Sequence, residues 1–204
     1  MKMRQSSPFY FGLFLWYICY LAIPGIILAQ TPVRERQVDV ITIKPPPGAL
    51  GREKETIDVR EAARNMRNQE MFEKASRALH MVDNAYLSSS TVSLLRTALN
   101  DSSDEVRRNA IILLGISRNP EAIEIISNHL QNDPSSRVRW TSAVKLGMLA
   151  GEEAIPALKV ALTEDKRITP AVIYGLGYAG GTAVPILLQM LEDPACILYC
   201  FKFT

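Results

Sequence analysis

The chain is poor in the residues that carry chemistry. Its 204 residues include two histidines, His80 and His129, three cysteines and 7% aromatics. Neither histidine is followed by Asp or Glu, and no Ser-His-Asp order, nucleophile elbow or phosphate-cradling Gly loop can be read. "YAGGTA" (Tyr178 to Ala183) is a turn between helices rather than a Gly-rich phosphate loop. Catalytic residues, metal ligands and cofactors are therefore expected to be absent. Charge of one sign is also lacking. The formal excess of +2 lies in Lys2 and Arg4, and from Gln30 onward 21 basic residues face 21 acidic ones. A neutral body argues against nucleic acid as a partner, because that binding depends on Lys and Arg neutralising phosphates.

Long hydrophobic runs are missing too, except for one. Lys2 and Arg4 precede "FYFGLFLWYICYLAIPGIILA", Phe9 to Ala29. A basic start, an apolar core and a small residue at its end read as a secretory signal over residues 1–29, with Pro24-Gly25 breaking the helix before a cut after Ala29. The run is also long enough to span a bilayer uncleaved. Both readings place the body outside the cytoplasm, in the periplasm or cell envelope, and confine any membrane contact to residues 9–29. Cys19 follows Trp16, Tyr17 and Ile18, not the small residues that lipid attachment requires.

Residues 30–56 read as a Pro-rich extended linker. "VDVITI" (Val38 to Ile43) has strand composition but no evident partner, and "KPPPGALG" favours polyproline II. Residues 57–89 form a helical lead-in with the option of being a degenerate repeat. Val59 to Val82 is helical in composition, with Met71, Ala75, Ala78, Leu79 and Val82 on one face.

Beyond residue 90 the chain repeats itself. "VRRNAIILLG" from Val106, "VRWTSAVKLG" from Val138 and "ITPAVIYGLG" from Ile168 start 32 and 30 residues apart, a solenoid period. Eight residues before a helix-closing Leu stands a small-plus-β-branched pair in four places: Thr91-Val92, Ala122-Ile123, Ala154-Ile155 and Ala183-Val184. Acidic turns at Asp101, Asp133, Asp165 and Asp193 follow. Each unit is then two short helices, a helix A such as Thr91 to Leu99 and a helix B such as Asp104 to Gly115. Val106, Ala110 and Leu114 share the face of helix B that packs on helix A. Asp104 and Ser135 are expected N-caps. Gly115, Gly147 and Gly177 are expected to end their helices by a left-handed cap or a close backbone approach. Pro156 and Pro185 suit a helix start. Such pairs cannot bury their apolar faces alone, so they must stack.

The turn Asp, Val-Arg, Ala and Leu-Gly of Asp101, Val106-Arg107, Ala110 and Leu114-Gly115, repeated from Asp133 to Gly147, resembles the HEAT-repeat superfamily, especially its short bilin-lyase-like variety. The resemblance covers residues 90–194. It implies an all-α chain, a right-handed α-solenoid of stacked helix pairs, with a diverged or truncated tail over 195–204. It also implies that Asp101, Arg107, Asp133 and Arg139 form a structural ladder between neighbouring repeats. Thr169 replaces Arg in the third copy, and the fourth breaks off after Asp193. Cys196 and Cys200 either pair with each other or remain available to other thiols.

The helix B positions turned away from Val106, Ala110 and Leu114 are Arg108 and Ile112, Trp140 and Val144, and Pro170 and Tyr174. Five of the six are apolar or aromatic where a solvated face would be polar. Either neighbouring units cover them, or Arg108, Ile112, Trp140, Val144 and Tyr174 form a stripe that binds a protein partner. The expectation is an exported, non-enzymatic interaction or assembly scaffold. The alternatives are an enzyme of the bilin-lyase type and a fragment of a longer solenoid.

Overall fold

The computed structural model describes residues 36–43, 55–82 and 85–192. The apolar run from Phe9 to Ala29, Cys19, Cys196, Cys200 and the tail over 195–204 lie outside them, as does Asp193.

The first described residues form strands, where a free tether was expected. β1 (Arg36–Gln37) pairs in parallel with β4 (Ala85–Tyr86). β2 (Val40–Ile43) pairs antiparallel with β3 (Glu55–Asp58), with Ile41 opposite Ile57. The strand without a partner thus has one, and Val38, Ile41 and Ile57 are buried. Asp39 fastens this region to the helices. Its carboxylate accepts from the Thr91 hydroxyl at 2.6 Å, the Ser88 hydroxyl at 2.8 Å and Arg60 Nη2 at 2.8 Å. Burial pushes the Asp39 carboxyl up, but these hydrogen bonds outweigh it and hold its pKa below the ordinary range.

The lead-in is two helices rather than one. α1 (Val59–Arg64) ends at Asn65, and α2 (Gln69–His80) starts after Asn68, whose side chain accepts from the Met71 amide at 3.2 Å. A side-chain cap at Asn68 satisfies an orphan donor that a continuous helix would not offer, and the chain turns there. Phe72, absent from the expected face, is buried beside Ala75, Ala78 and Leu79, while Met71 and Val82 are half-buried.

The repeats then follow as α3 (Ser89–Ala98) and α4 (Asp104–Ile116), α5 (Glu121–Asn132) and α6 (Ser136–Ala150), α7 (Ile155–Glu164) and α8 (Thr169–Gly177), and finally α9 (Val184–Glu192). Short 3-10 turns precede α7, α8 and α9. The B-type helices α2, α4, α6 and α8 pack one on the next, while α1 packs on α3 and α5 on α7. This is an α-solenoid of stacked helix pairs, to which α1 and α2 contribute a pair. The expected packing positions Val106, Ala110 and Leu114, with Val138, Ser142, Leu146, Ile168, Val172 and Leu176, are all buried. Ile111 and Leu113 are fully buried as well, because α4 is flanked by a helix A and by two neighbouring helices B. Each such side chain contributes about 1.5–3 kcal/mol on leaving water.

Helix ends depart from expectation in detail. Ser103, not Asp104, is the N-cap of α4, and Ser135 caps α6 by backbone position only. The Ser135 hydroxyl instead donates to Asp104 at 2.9 Å. The orphan amides of Ser103 and Ser135 are taken by Asp101 at 2.8 Å and Asp133 at 2.9 Å, one residue pair earlier in the turn. Gly115 and Gly147 lie inside their helices, and the glycines with positive φ among the described residues are Gly151 (φ 53°) and Gly180 (φ 70°). Close approach is the reason for Gly147: a Cβ there would stand 2.3 Å from the Gly175 carbonyl oxygen, so α6 and α8 touch backbone to backbone. Gly177 has nothing within 4 Å of such a Cβ.

Candidate interaction surface and the ladder that holds it

The helix B rows are kept in register by ion pairs that run from one repeat to the next. Arg107 donates from Nε and Nη2 to the two oxygens of Asp133, both at 2.9 Å, and from Nη1 to the Asp101 carbonyl at 2.9 Å. Arg139 takes the equivalent place one repeat later: its Nε, at 3.1 Å, and its Nη2 both donate to the one oxygen Oδ2 of Asp165, and its Nη1 donates to the Asp133 carbonyl. Each Arg therefore bridges its own repeat's turn and the next repeat's carboxylate. The pattern also runs backward: Arg67, between α1 and α2, grips both oxygens of Asp101 at 2.9 Å. Arg67 and Asp165 belong to the ladder beside Asp101, Arg107, Asp133 and Arg139. The signal for Asp165 was its place in the third acidic turn. Arg67 carries no such signal, because the lead-in lacks the phrase.

The rungs differ in burial. Asp133 and Arg107 side chains retain 1% and 10% of their exposure, Asp165 and Arg139 13% and 11%, whereas Arg67 remains 68% exposed. Burial pushes the Asp133 carboxyl up, yet Arg107, the Ser135 amide and His129 together bring it below the usual carboxylate range. Asp165 is lowered likewise against its burial, by Arg139 and Arg167. Asp101 is lowered chiefly by the Ser103 amide. The Arg107 guanidinium is raised, first by its bond to Asp133. His129 Nδ1 sits 3.2 Å from Asp133, so that ring belongs to the ladder. Among the described residues no group of three or more His, Cys, Asp or Glu is placed to hold a metal ion. Thr169, standing where the third Arg would be, is fully buried with its hydroxyl unbonded.

On this frame the outer row of helices B grades from covered to open. Ile112, Trp140 and Val144 are half-buried and pack against the core. Trp140 is thus anchored rather than free-standing. Arg108 is half-buried with its Nε enclosed and unbonded. Tyr174, at the same phrase position as Ile112 and Val144, is 55% exposed. Pro170 is half-buried. The residues of the sequence-predicted stripe lie on consecutive packed helices, and of them only Tyr174, on α8, is exposed.

Tyr178 extends that end. Its ring meets Tyr174 edge to face at 5.4 Å and 74°, the hydroxyls lie 3.1 Å apart, and Tyr178 is 46% exposed. It stands four residues after Tyr174 and one past the phrase, an i,i+4 pairing the ten-residue alignment did not include. Its phenol is raised above the ordinary range, chiefly by the Tyr174 hydrogen bond. Two exposed tyrosines with locked rings form an amphipathic, low-entropy contact surface.

A family model of HEAT repeats matches residues 58–147 and, overlapping it, 91–176, so that more than half of the chain is covered. The match begins at the residue before α1, which includes the lead-in pair in the repeats. No curated protein matches the chain.

Proposed function

The chain belongs to the HEAT-repeat family, and from that premise we propose that it is an exported, non-enzymatic scaffold whose helix B row docks a protein partner outside the cytoplasm. The helical repeat scaffold is the established part of this reading. The row from Arg108 and Ile112 through Trp140 and Val144 to Tyr174 is the docking surface, in a right-handed superhelix that gathers these positions on one concave side. The observation that carries it is the Tyr174–Tyr178 pair, exposed on the stack yet preorganised ring to ring. Export rests on Lys2 and Arg4 followed by the Phe9 to Ala29 run, which delivers the body to the periplasm or cell envelope and tethers it there where the run is not cleaved.

Crosslinking in the native cell followed by capture from the envelope fraction tests both parts. The wild-type chain brings down a defined partner protein, and Tyr174→Asp, placed on an exposed site where folding is unaffected, loses it. Equal recovery by both chains contradicts the surface. A product found in the cytoplasm with Met1 retained contradicts export.

A further inference from the structure

The repeat register exposes one residue of the wrong kind. The eighth position of the phrase is Leu113 in α4, fully buried, and Gly175 in α8, also buried. In α6 it is Lys145. The tenth-position glycine of the preceding repeat faces it in both crossings: Gly147 meets Gly175 backbone to backbone, and Gly115 meets Lys145. A Cβ on Gly115 would stand 2.5 Å from Lys145 Cβ and 2.9 Å from its Cγ and Cδ. The Lys145 stem thus lies flat on a bare helix backbone, and its ammonium is carried into a cleft where helices α2, α4 and α6 come together.

That cleft has a volume of about 160 Å³. Its polar side chains are His80, the last residue of α2, Arg118, just after α4, and Lys145; Met148 and Leu149 supply an apolar wall. Among the described residues no Asp or Glu lines it and no carboxylate pairs with Lys145 or Arg118. By contrast, the ladder cations Arg107 and Arg139 each hold a carboxylate. Lys145 is the half-buried member, set beside the exposed Arg118 and His80, and an entering anion would offset the burial of its ammonium. We propose that this cleft is a phosphate-group site, with His80, Arg118 and Lys145 as its ligands, separate from the tyrosine surface and independent of the partner reading.

A guanidinium, an ammonium and an imidazole that takes up a proton when a dianion arrives match a phosphate better than a carboxylate. Burial, and then the nearby Lys145, hold His80 below its ordinary pKa, and burial lowers Lys145, so both groups gain when a negative charge enters. The Lys145 ammonium and the Arg118 fork supply charge-assisted donors of complementary geometry. The plainer role for cations at helix C-termini is to offset the helix dipoles. That role predicts no response to phosphate.

The test is the His80 titration followed by NMR on the full chain at constant ionic strength. Inorganic phosphate and phenyl phosphate are the two probes, and chloride is the control. The site predicts a saturable rise of the His80 pKa by about 0.5–1 unit, seen with phosphate and not with chloride. Arg118→Gln, on an exposed residue, weakens it roughly tenfold. Lys145→Met, checked for folding by circular dichroism, abolishes it and raises the His80 pKa in the absence of any anion. Tighter binding of phenyl phosphate identifies a phosphomonoester seated against Met148 and Leu149; tighter binding of inorganic phosphate identifies the free ion. A His80 pKa that responds to neither probe, or responds equally in the Arg118→Gln chain, overturns the proposal.

Discussion

Replacing Arg107 by alanine removes two charged hydrogen bonds to Asp133 and two more to the carbonyls of Asp101 and Ser102, and leaves a carboxylate with 1% of its surface exposed. Breaking one partner of a buried pair costs about 3–5 kcal/mol, because the remaining charge stays desolvated. Asp133 keeps the Ser135 amide and His129, which returns part of that, so the loss should be about 3 kcal/mol. Arg67→Ala acts on a rung whose arginine is 68% exposed and should leave stability almost unchanged. Arg139→Ala should fall between them. Urea unfolding of the three single variants, with Arg107→Ala/Asp133→Ala closing a double-mutant cycle, measures this directly. Three equal losses, or a coupling near zero at Arg107–Asp133, would refute the claim that burial sets the strength of each rung.

The same carboxylates set the response to acid. Asp39, Asp133 and Asp165 have folded pKa values below their unfolded ones, so their stabilisation is complete above about pH 4 and drains away as pH falls through the lowered values. Stability measured by denaturant should therefore show no loss from these groups between neutrality and about pH 4 and drop below it, with a smaller drop in Asp133→Asn. Gly147→Ala should cost about 1–3 kcal/mol or more, because its methyl meets the Gly175 backbone, whereas Gly177→Ala should gain up to about 1 kcal/mol; thermal melts of the two report opposite signs. Thr169→Val replaces a buried, unbonded hydroxyl by a methyl and should stabilise by about 1 kcal/mol in the same assay. Trp140→Ala should lower the melting temperature clearly, since the ring is packed on the core, while Tyr174→Ala should lower it little.

The helix pairs were readable because a solenoid writes the same local contacts at a fixed spacing. Val106, Ala110 and Leu114 are four apart, and their copies recur with the phrase, so periodicity alone places them in the core. What escaped depends on partners far along the chain. Asp39 contacts Ser88 and Thr91, and β2 finds β3 only across the proline-rich stretch, so "VDVITI" read by itself as a strand without a mate. The break at Asn65–Asn68 hung on a single side-chain cap inside a segment of good helical composition. Arg107 and Asp133 are 26 residues apart, and the six-residue spacing of Asp101 and Arg107 suggested the ladder without giving its direction. For the outer row, periodicity does not report how deeply each position is covered. Hence Trp140 proved anchored, and Tyr178, one residue outside the phrase, was missed.

The central claim is that the exposed end of the helix B row holds a partner. A photo-crosslinking amino acid placed at Tyr174, and in a second chain at Val160, an exposed apolar residue of α7 outside that row, tests it most directly in living cells. The account predicts one discrete adduct with another protein from position 174, recovered outside the cytoplasm, and none from position 160. The same adducts from both positions, or none from 174 in a folded chain, would contradict it.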